Sequence, residues 1–276
     1  LPATQSTSKP IPGAVLILIR LSAALLLFWG LAAHADTITV YHYNPESQSD
    51  RSLVLKNTFD RYFQAHHNVQ LQPVDDRDTF QQQIKQDTPS LYIMSDWHYR
   101  QLASNSPRLV PYLRGLKNGQ DTFFKLLVGK GPLTSQRATI SVSGTDDYVT
   151  TLLQEMRFTG AGLTRPPRLL TVPKDIDALL AVGFGLADAA LTTESSFEKL
   201  SLLYRNEYQQ LKILGRSTPQ KRLVVVLIDH HQTAVQPALD ALEHMNQTKE
   251  GRLGLNLLGL DEWTRLTTTQ LKGGQP

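Results

Sequence analysis

The stretch "KRLVVVLI", Lys221 to Ile228, constrains the fold more than any other part of the 276-residue chain. Three consecutive valines bounded by leucine and isoleucine make it the most strongly β run in the sequence, and a strand of that strength needs a sheet to join. It stands late in the chain, flanked by helical patterns around "ALDALEHM" and "LNLLGLDEW". Its partners must therefore come from far upstream.

Upstream, from Asp36, short β-branched or apolar runs alternate with amphipathic helices. "TITVYHY" (Thr37 to Tyr43) reads as a strand. "SLVLKNTFDRYFQAHH" places Leu55, Phe59, Tyr62 and Phe63 at helical spacing, and "VQLQPV" alternates at period two. "TFQQQIKQ" reads as a short helix and "SLYIMS" as a buried strand. This β-α-β-α-β order predicts a mostly parallel sheet covered by helices. The next stretch, "LVPYLRGLKNGQDTFFKLLVGKGPLTSQ", is dense in glycine and proline and reads as connection and crossover. A second unit follows. "RATISVS" reads as a strand, then a helix carries Val149, Leu152, Leu153 and Met156 on one face. "RLLTV" is a strand, "PKDIDALLAVGFG" a helix, "DAALTT" a strand and "SFEKLSLLY" a helix, while "LKILGRSTPQ" leads back out.

The first unit shows only three clear strands, so it has room for Lys221 to Ile228. The expectation is an α/β chain with a discontinuous first lobe, residues 36–115 and 219–276, and a second lobe, residues 116–218, inserted between. Two crossings make a hinge, and the cleft at the carboxyl ends of the strands is where such lobes place ligands.

Residues 1–35 read as an export signal. Arg20 precedes the uncharged run "LSAALLLFWGLAA", and Ala33-His34-Ala35 supplies the small-x-small pattern for cleavage after Ala35. The rival reading is an uncleaved anchor, because "AVLILI" extends the apolar region upstream. Arg20 interrupts it, however, and the remainder falls short of the roughly 20 residues of a membrane span. The chain has no cysteine, which removes disulfides, thiolate metal sites and a lipidated cysteine from consideration. From Asp36 onward, 26 basic residues face 25 acidic ones. No basic stripe with interleaved aromatics stands out, so no nucleic-acid partner is expected. A soluble periplasmic monomer is.

The order of these features resembles the type II periplasmic substrate-binding proteins of ABC transporters, specifically their phosphonate/phosphite branch. "SLYIMSDWHYRQL" resembles that family's third strand and following loop, and "SVSG" its Ser-Thr-Ser-Gly phosphonate-contacting turn. "DIDALLAVGFGLADAALTTESSFEKL" resembles its helix, Gly-x-x-Asp, strand and ligand-facing loop, and "HMNQTKEGRLGLNLLGLDEW" its closing helices with a turn at Gly251. The resemblance implies the two-lobed type II fold, a small polar ligand that is phosphonate- or phosphate-like, and an ABC permease as partner. It implies ligand contacts at Tyr43, at Trp97, His98 and Tyr99, at Ser141, Ser143, Gly144 and Thr145, and at Thr193 and Glu194. Val142 stands where the family has its middle threonine, and Thr193 where it has an acidic residue.

Several clusters carry two readings each. Asp146 and Asp147 either stabilise a helix N-terminus capped by Thr145 or face the cleft, where they would disfavour a dianion. Asp96-Trp97-His98-Tyr99 is either a recognition loop or a helix start with Asp96 as N-cap and Trp97 in the core. His66-His67 and Asp229-His230-His231 raise metal binding, but adjacent histidines are expected to diverge, and neither pair has the i, i+4 spacing of helical ligand pairs. No metal and no cofactor is expected. Asp188, at a strand start, reads as a turn residue. No nucleophile elbow, His-Glu-x-x-His or Walker loop occurs, so the expectation is a binder and not an enzyme. The alternative to transport is a periplasmic sensor or accessory protein with an altered site and a signalling partner.

Overall fold

A computed structural model describes residues 37–46, 52–66, 68–106, 108–133, 138–156 and 166–267. The expected export signal, His67 and Arg137 lie outside them. The strong C-terminal strand finds its place in a six-stranded sheet. That sheet contains β1 (Ile38–Tyr43), β2 (Val69–Pro73), β3 (Ser90–Met94), β4 (Leu109–Leu116), β12 (Val224–Ile228) and β13 (Glu262–Arg265) in the order β13-β4-β12-β3-β1-β2. β1 pairs in parallel with β2 and β3, whereas β12 runs antiparallel to both β3 and β4, and β13 antiparallel to β4. Every residue of β3 and of β12 is buried, as expected of central strands with apolar side chains on both faces. The first lobe is thus discontinuous in sequence.

The second sheet has the order β10-β6-β9-β7-β8. Its strands are β6 (Lys125–Gly129), β7 (Thr139–Val142), β8 (Arg168–Thr171), β9 (Ala189–Thr193) and β10 (Lys212–Arg216). The parallel trio β8-β7-β9 continues into antiparallel β6 and β10. Between the lobes, β5 (Thr122–Phe123) and β11 (Gln220–Lys221) form an antiparallel two-stranded ribbon. Both crossing segments are therefore hydrogen-bonded to each other, and Lys221 Nζ lies 2.7 Å from Asp121 Oδ2 beside them.

Four expectations change. The glycine- and proline-rich stretch taken as connection contains β4, β5 and β6. Pro111 stands in β4 at an irregularity, where the register with β12 shifts between Val225 and Val226, the kind of position at which a sheet accepts proline. The segment "LKILGRSTPQ" holds β10, and "DEW" belongs to β13, whose Trp263 is buried. Gly251 is in the first turn of a helix, not a turn of its own, and its N–H donates to the capping Thr248 hydroxyl. A Cβ there would collide with the Met245 carbonyl.

The helices are α1 (Ser52–Phe63), α2 (Arg77–Lys85), α3 (Asp96–Ala103), α4 (Asp146–Glu155), α5 (Asp175–Gly183), α6 (Glu194–Leu203), α7 (Arg205–Gln209), α8 (Gln232–Glu243) and α9 (Lys249–Leu257). In the first lobe, Phe59 and Tyr62 of α1 pack with Leu239 and Leu242 of α8 on one sheet face, and Phe80 packs on the other. In the second lobe α4 covers one face and α5 with α6 the other. Among the described residues no helix is long and apolar enough to cross a membrane.

Candidate ligand-binding site

A cavity of about 710 Å³ lies between the sheets. It sits where the carboxyl ends of strands meet, as expected for open α/β lobes. From the first lobe, His42, Tyr43, Asn44 and Glu46 reach it at the end of β1, and Pro73 to Asp75 at the end of β2 and just beyond. Phe123 and Arg222 enter from the hinge, and Lys125 just inside the second lobe.

The second-lobe wall is built from helix starts. Ser143 and Thr145 precede α4, Pro173 and Lys174 precede α5, and Thr193 caps α6 with its hydroxyl accepting from the Ser196 N–H at 3.3 Å. Each helix N-terminus carries roughly half a positive charge, and three of them face one cavity. Lys125 adds a whole charge. Only 3% exposed, it places Nζ 3.3 Å from both carboxylate oxygens of Asp175, whose Oδ2 also accepts the Thr193 N–H at 2.8 Å.

The first-lobe wall has the opposite sign. Glu46 and Asp75 line it, and burial raises the Glu46 carboxyl to about 7 against the opposing pull of Lys125. Burial lowers His42 to about 4, so its imidazole is neutral near pH 7. His42 Nε2 and Thr145 Oγ1 are shielded from solvent and have no hydrogen-bond partner among the described residues.

Of the ten residues singled out from sequence, Tyr43, Ser143, Thr145 and Thr193 line the cavity. The others are placed elsewhere. Of the two readings of Asp96 to Tyr99, the helix start holds: α3 begins at Asp96 and Trp97 is buried in a core, but the cap is the Ser95 hydroxyl and not Asp96, whose carboxylate pairs with Arg114 and Arg100. Trp97 crosses from the first lobe into a second-lobe core cluster, edge-on to Tyr148 at 5.5 Å. His98 is fully buried between Tyr43 and Phe80, and that burial, with a smaller push from Arg77, lowers it to about 4. Tyr99 packs against the first-lobe core. The Ser141 hydroxyl donates to the Ala178 carbonyl at 2.7 Å, which turns it away from any ligand. Glu194 pairs with Arg216 outside the cavity lining.

Gly144 makes a lobe-to-lobe contact in place of a ligand contact. Its φ of +119° excludes other residues, and a Cβ would meet the Pro45 carbonyl oxygen at 2.9 Å. That same oxygen accepts the Thr145 N–H at 2.8 Å.

The two aspartates resolve in favour of the helix terminus. Asp146 and Asp147 are exposed in the first turn of α4, and neither lines the cavity. Asp147 Oδ2 reaches across the rim to Arg77 Nη1 at 3.0 Å. Thr145 occupies the N-cap position without making a side-chain cap bond. Asp188 is structural, accepting the Thr139 N–H at 2.7 Å. The adjacent His230 and His231 do not diverge: both rings approach Asp87.

Sequence reading missed His42, Glu46, Asp75, Lys125, Lys174, Asp175 and Arg222. The one signal for Lys125 was a lone cation within the apolar run "TFFKLLVG".

Two sheet-centred lobes, a double crossing and a polar cavity at the strand ends define a bilobal solute-binding protein. The profile of the family "ABC transporter, phosphonate, periplasmic substrate-binding protein" matches residues 43–271. The chain belongs to that family. Solved structures agree at the level of fold. A binding-protein component of an ABC phosphonate transporter from Pseudomonas aeruginosa is 15% identical with a TM-score of 0.57, over 86% of this chain and 84% of that one. PhnD1 of Prochlorococcus marinus, solved with methylphosphonate, is 13% identical with a TM-score of 0.61, over 87% and 96%. A Xanthomonas citri protein solved with ATP is 13% identical with a TM-score of 0.60, over 86% and 94%. No curated protein sequence matches the chain.

Proposed function

We propose that the mature chain, released by cleavage after Ala35, is a monomeric, non-enzymatic periplasmic receptor with lobes at residues 36–115 with 219–276 and at 116–218. It captures a small polar solute for an ABC permease. The observation that carries this reading is the polarity of the cavity. Three helix N-termini and Lys125 on the second-lobe wall suit a phosphonate- or phosphate-like head, and Glu46 and Asp75 on the first-lobe wall suit a donor or cationic group at the other end. Among the described residues the lining sets three basic side chains (Lys125, Lys174, Arg222) against Asp75, Asp175 and a Glu46 carboxyl raised to about 7, a near balance that favours a zwitterion over a bare dianion. Such a ligand touches both lobes and stabilises the closed state.

A thermal-shift panel of phosphite, phosphate, alkylphosphonates and aminoalkylphosphonates tests this. A cleft ligand at 100 times its Kd adds about 2.7 kcal/mol, and the shift is expected to vanish in Lys125→Met. A panel without any shift removes the transport reading. The alternative, a sensor or accessory protein with an altered site, draws support from the Thr145 N–H and the Ser141 hydroxyl, because both are satisfied by the protein's own carbonyls.

A further inference from the structure

The end of the first sheet remote from the cleft gathers a second constellation. Asp87 follows α2 on a left-handed backbone, φ +54°, in the loop before β3. β12 runs antiparallel to β3 with Leu227 opposite Leu91, so the 3-10 turn Asp229–His231 that follows β12 emerges beside that loop. The cavity takes up the other end of these strands, about 15 Å away at about 3.3 Å per residue.

His230 Nε2 lies 3.1 Å and His231 Nε2 3.2 Å from Asp87 Oδ1, and the two rings sit 4.1 Å apart. All three ligand atoms fall within 4.8 Å of one another. The other carboxylate oxygen, Oδ2, accepts from Arg108 Nη1 at 2.9 Å, which fixes the carboxylate and leaves Oδ1 to the imidazoles. Oδ1 is shielded from solvent and receives no well-directed hydrogen bond. The ring nitrogens crowd it without aiming an N–H at it; His231 Nε2 also lies 2.8 Å from the Asp87 carbonyl, a contact that a bound ion replaces, because Nε2 then gives its lone pair to the metal and the ring carries its proton on Nδ1.

These separations have a simple reading. A tetrahedral metal with ligand bonds of about 2.0–2.1 Å has ligand-to-ligand edges of about 3.3–3.4 Å. Both nitrogen-to-oxygen distances lie within a few tenths of an ångström of that edge. We propose that Asp87, His230 and His231 form a binding site for a divalent transition cation of the zinc, nickel or copper class, on the first lobe and independent of the ligand cleft. Two imidazoles and one carboxylate suit those ions and not magnesium or calcium, which take oxygen ligands. Arg108 supplies the outer hydrogen bond that orients the carboxylate. A bound ion ties the loop before β3 to the turn after β12. It stabilises the first lobe and leaves cleft affinity unchanged.

The test is calorimetric titration of untagged, chelator-stripped protein with ZnCl₂ and, separately, with MgCl₂, alongside the His230→Gln, His231→Gln and Asp87→Asn variants. His230 is half exposed, so its variant keeps the fold. The expected result is one saturable zinc site per chain, no magnesium site, and zinc affinity lowered at least about tenfold in each variant. Titration with CoCl₂ is expected to give visible absorption bands in the parent protein that are lost in His230→Gln. Absence of a saturable zinc site, an equal response to magnesium, or an undiminished site in His230→Gln overturns the proposal.

Discussion

Replacing Lys125 by methionine isolates the most consequential charge in the cleft. The ammonium is 3% exposed and its partner Asp175 13% exposed, so removing the lysine leaves a carboxylate largely out of water. Breaking a buried pair from one side costs about 3–5 kcal/mol. Asp175 keeps the Thr193 N–H at 2.8 Å and a place in the first turn of α5. Those two contacts offset about 1 kcal/mol and put the expected loss near 3 kcal/mol. At about 2–4 °C per kcal/mol for a chain of this size, Tm falls by roughly 10 °C. The double variant Lys125→Met/Asp175→Asn removes both charges and is expected to return to within about 1 kcal/mol of the parent, a coupling of about 2 kcal/mol or more. Urea denaturation of the parent, both single variants and the double variant measures the cycle. If the single-variant losses simply add, or if Lys125→Met melts with the parent, the pair is not the buried charge couple described.

Glu46 and the buried histidines act in opposite pH directions. Burial raises Glu46 to about 7, so in the pH range from 4.5 to 7 the folded chain holds a proton that the unfolded chain releases. Its contribution to stability therefore falls as pH rises through that window. Glu46→Gln is expected to raise Tm at pH 8 and leave it unchanged near pH 4, as read by calorimetry. His98 is lowered by burial from 6.5 to about 4, so its stabilising neutrality is complete above pH 6.5 and is lost as pH falls towards 4. The loss is about 3 kcal/mol for a group with no exposed surface, and His98→Phe, packed between Tyr43 and Phe80, is expected to flatten that acid limb in equilibrium unfolding. Trp97→Ala removes a first-lobe side chain from a second-lobe core and is expected to cost about 3–5 kcal/mol and to enlarge the radius of gyration in solution scattering. Asp147→Ala breaks only an exposed rim pair and is expected to change stability by less than about 1 kcal/mol.

The sequence made some of these features visible through their own side chains. Val224 to Ile228 was legible because five apolar residues in a row leave no polar face, and the placement of that strand followed from its need for neighbours. Phe59 and Tyr62, and likewise Val149 and Leu152, disclosed their helices by spacing alone. β4 and β6 were hidden by Pro111, Gly115 and Gly129, whose turn-forming character was overridden by pairing to strands far away in sequence. β10 was hidden similarly, since Ile213 to Arg216 alternates only around a bulge.

The site was less legible than the fold, because burial and orientation are tertiary properties. Ser141 and Ser143 differ by one pleat, yet one bonds to α5 and the other lines the cavity. Trp97 reads as a recognition aromatic until Tyr148, 51 positions later, is seen to cover it. The convergence of His230 and His231 depends on Asp87, 143 and 144 positions earlier, which no local spacing rule detects.

The paired ribbon of Thr122–Phe123 with Gln220–Lys221 restricts how the two halves can travel. Two strings tied independently would allow sliding and twisting as well as bending. Laced edge to edge, they give way about a single axis, so the jaw angle becomes the one coordinate a capture event alters. Any protein resting across both jaws can then sense occupancy as a change in the spacing of its footholds, without touching the solute itself.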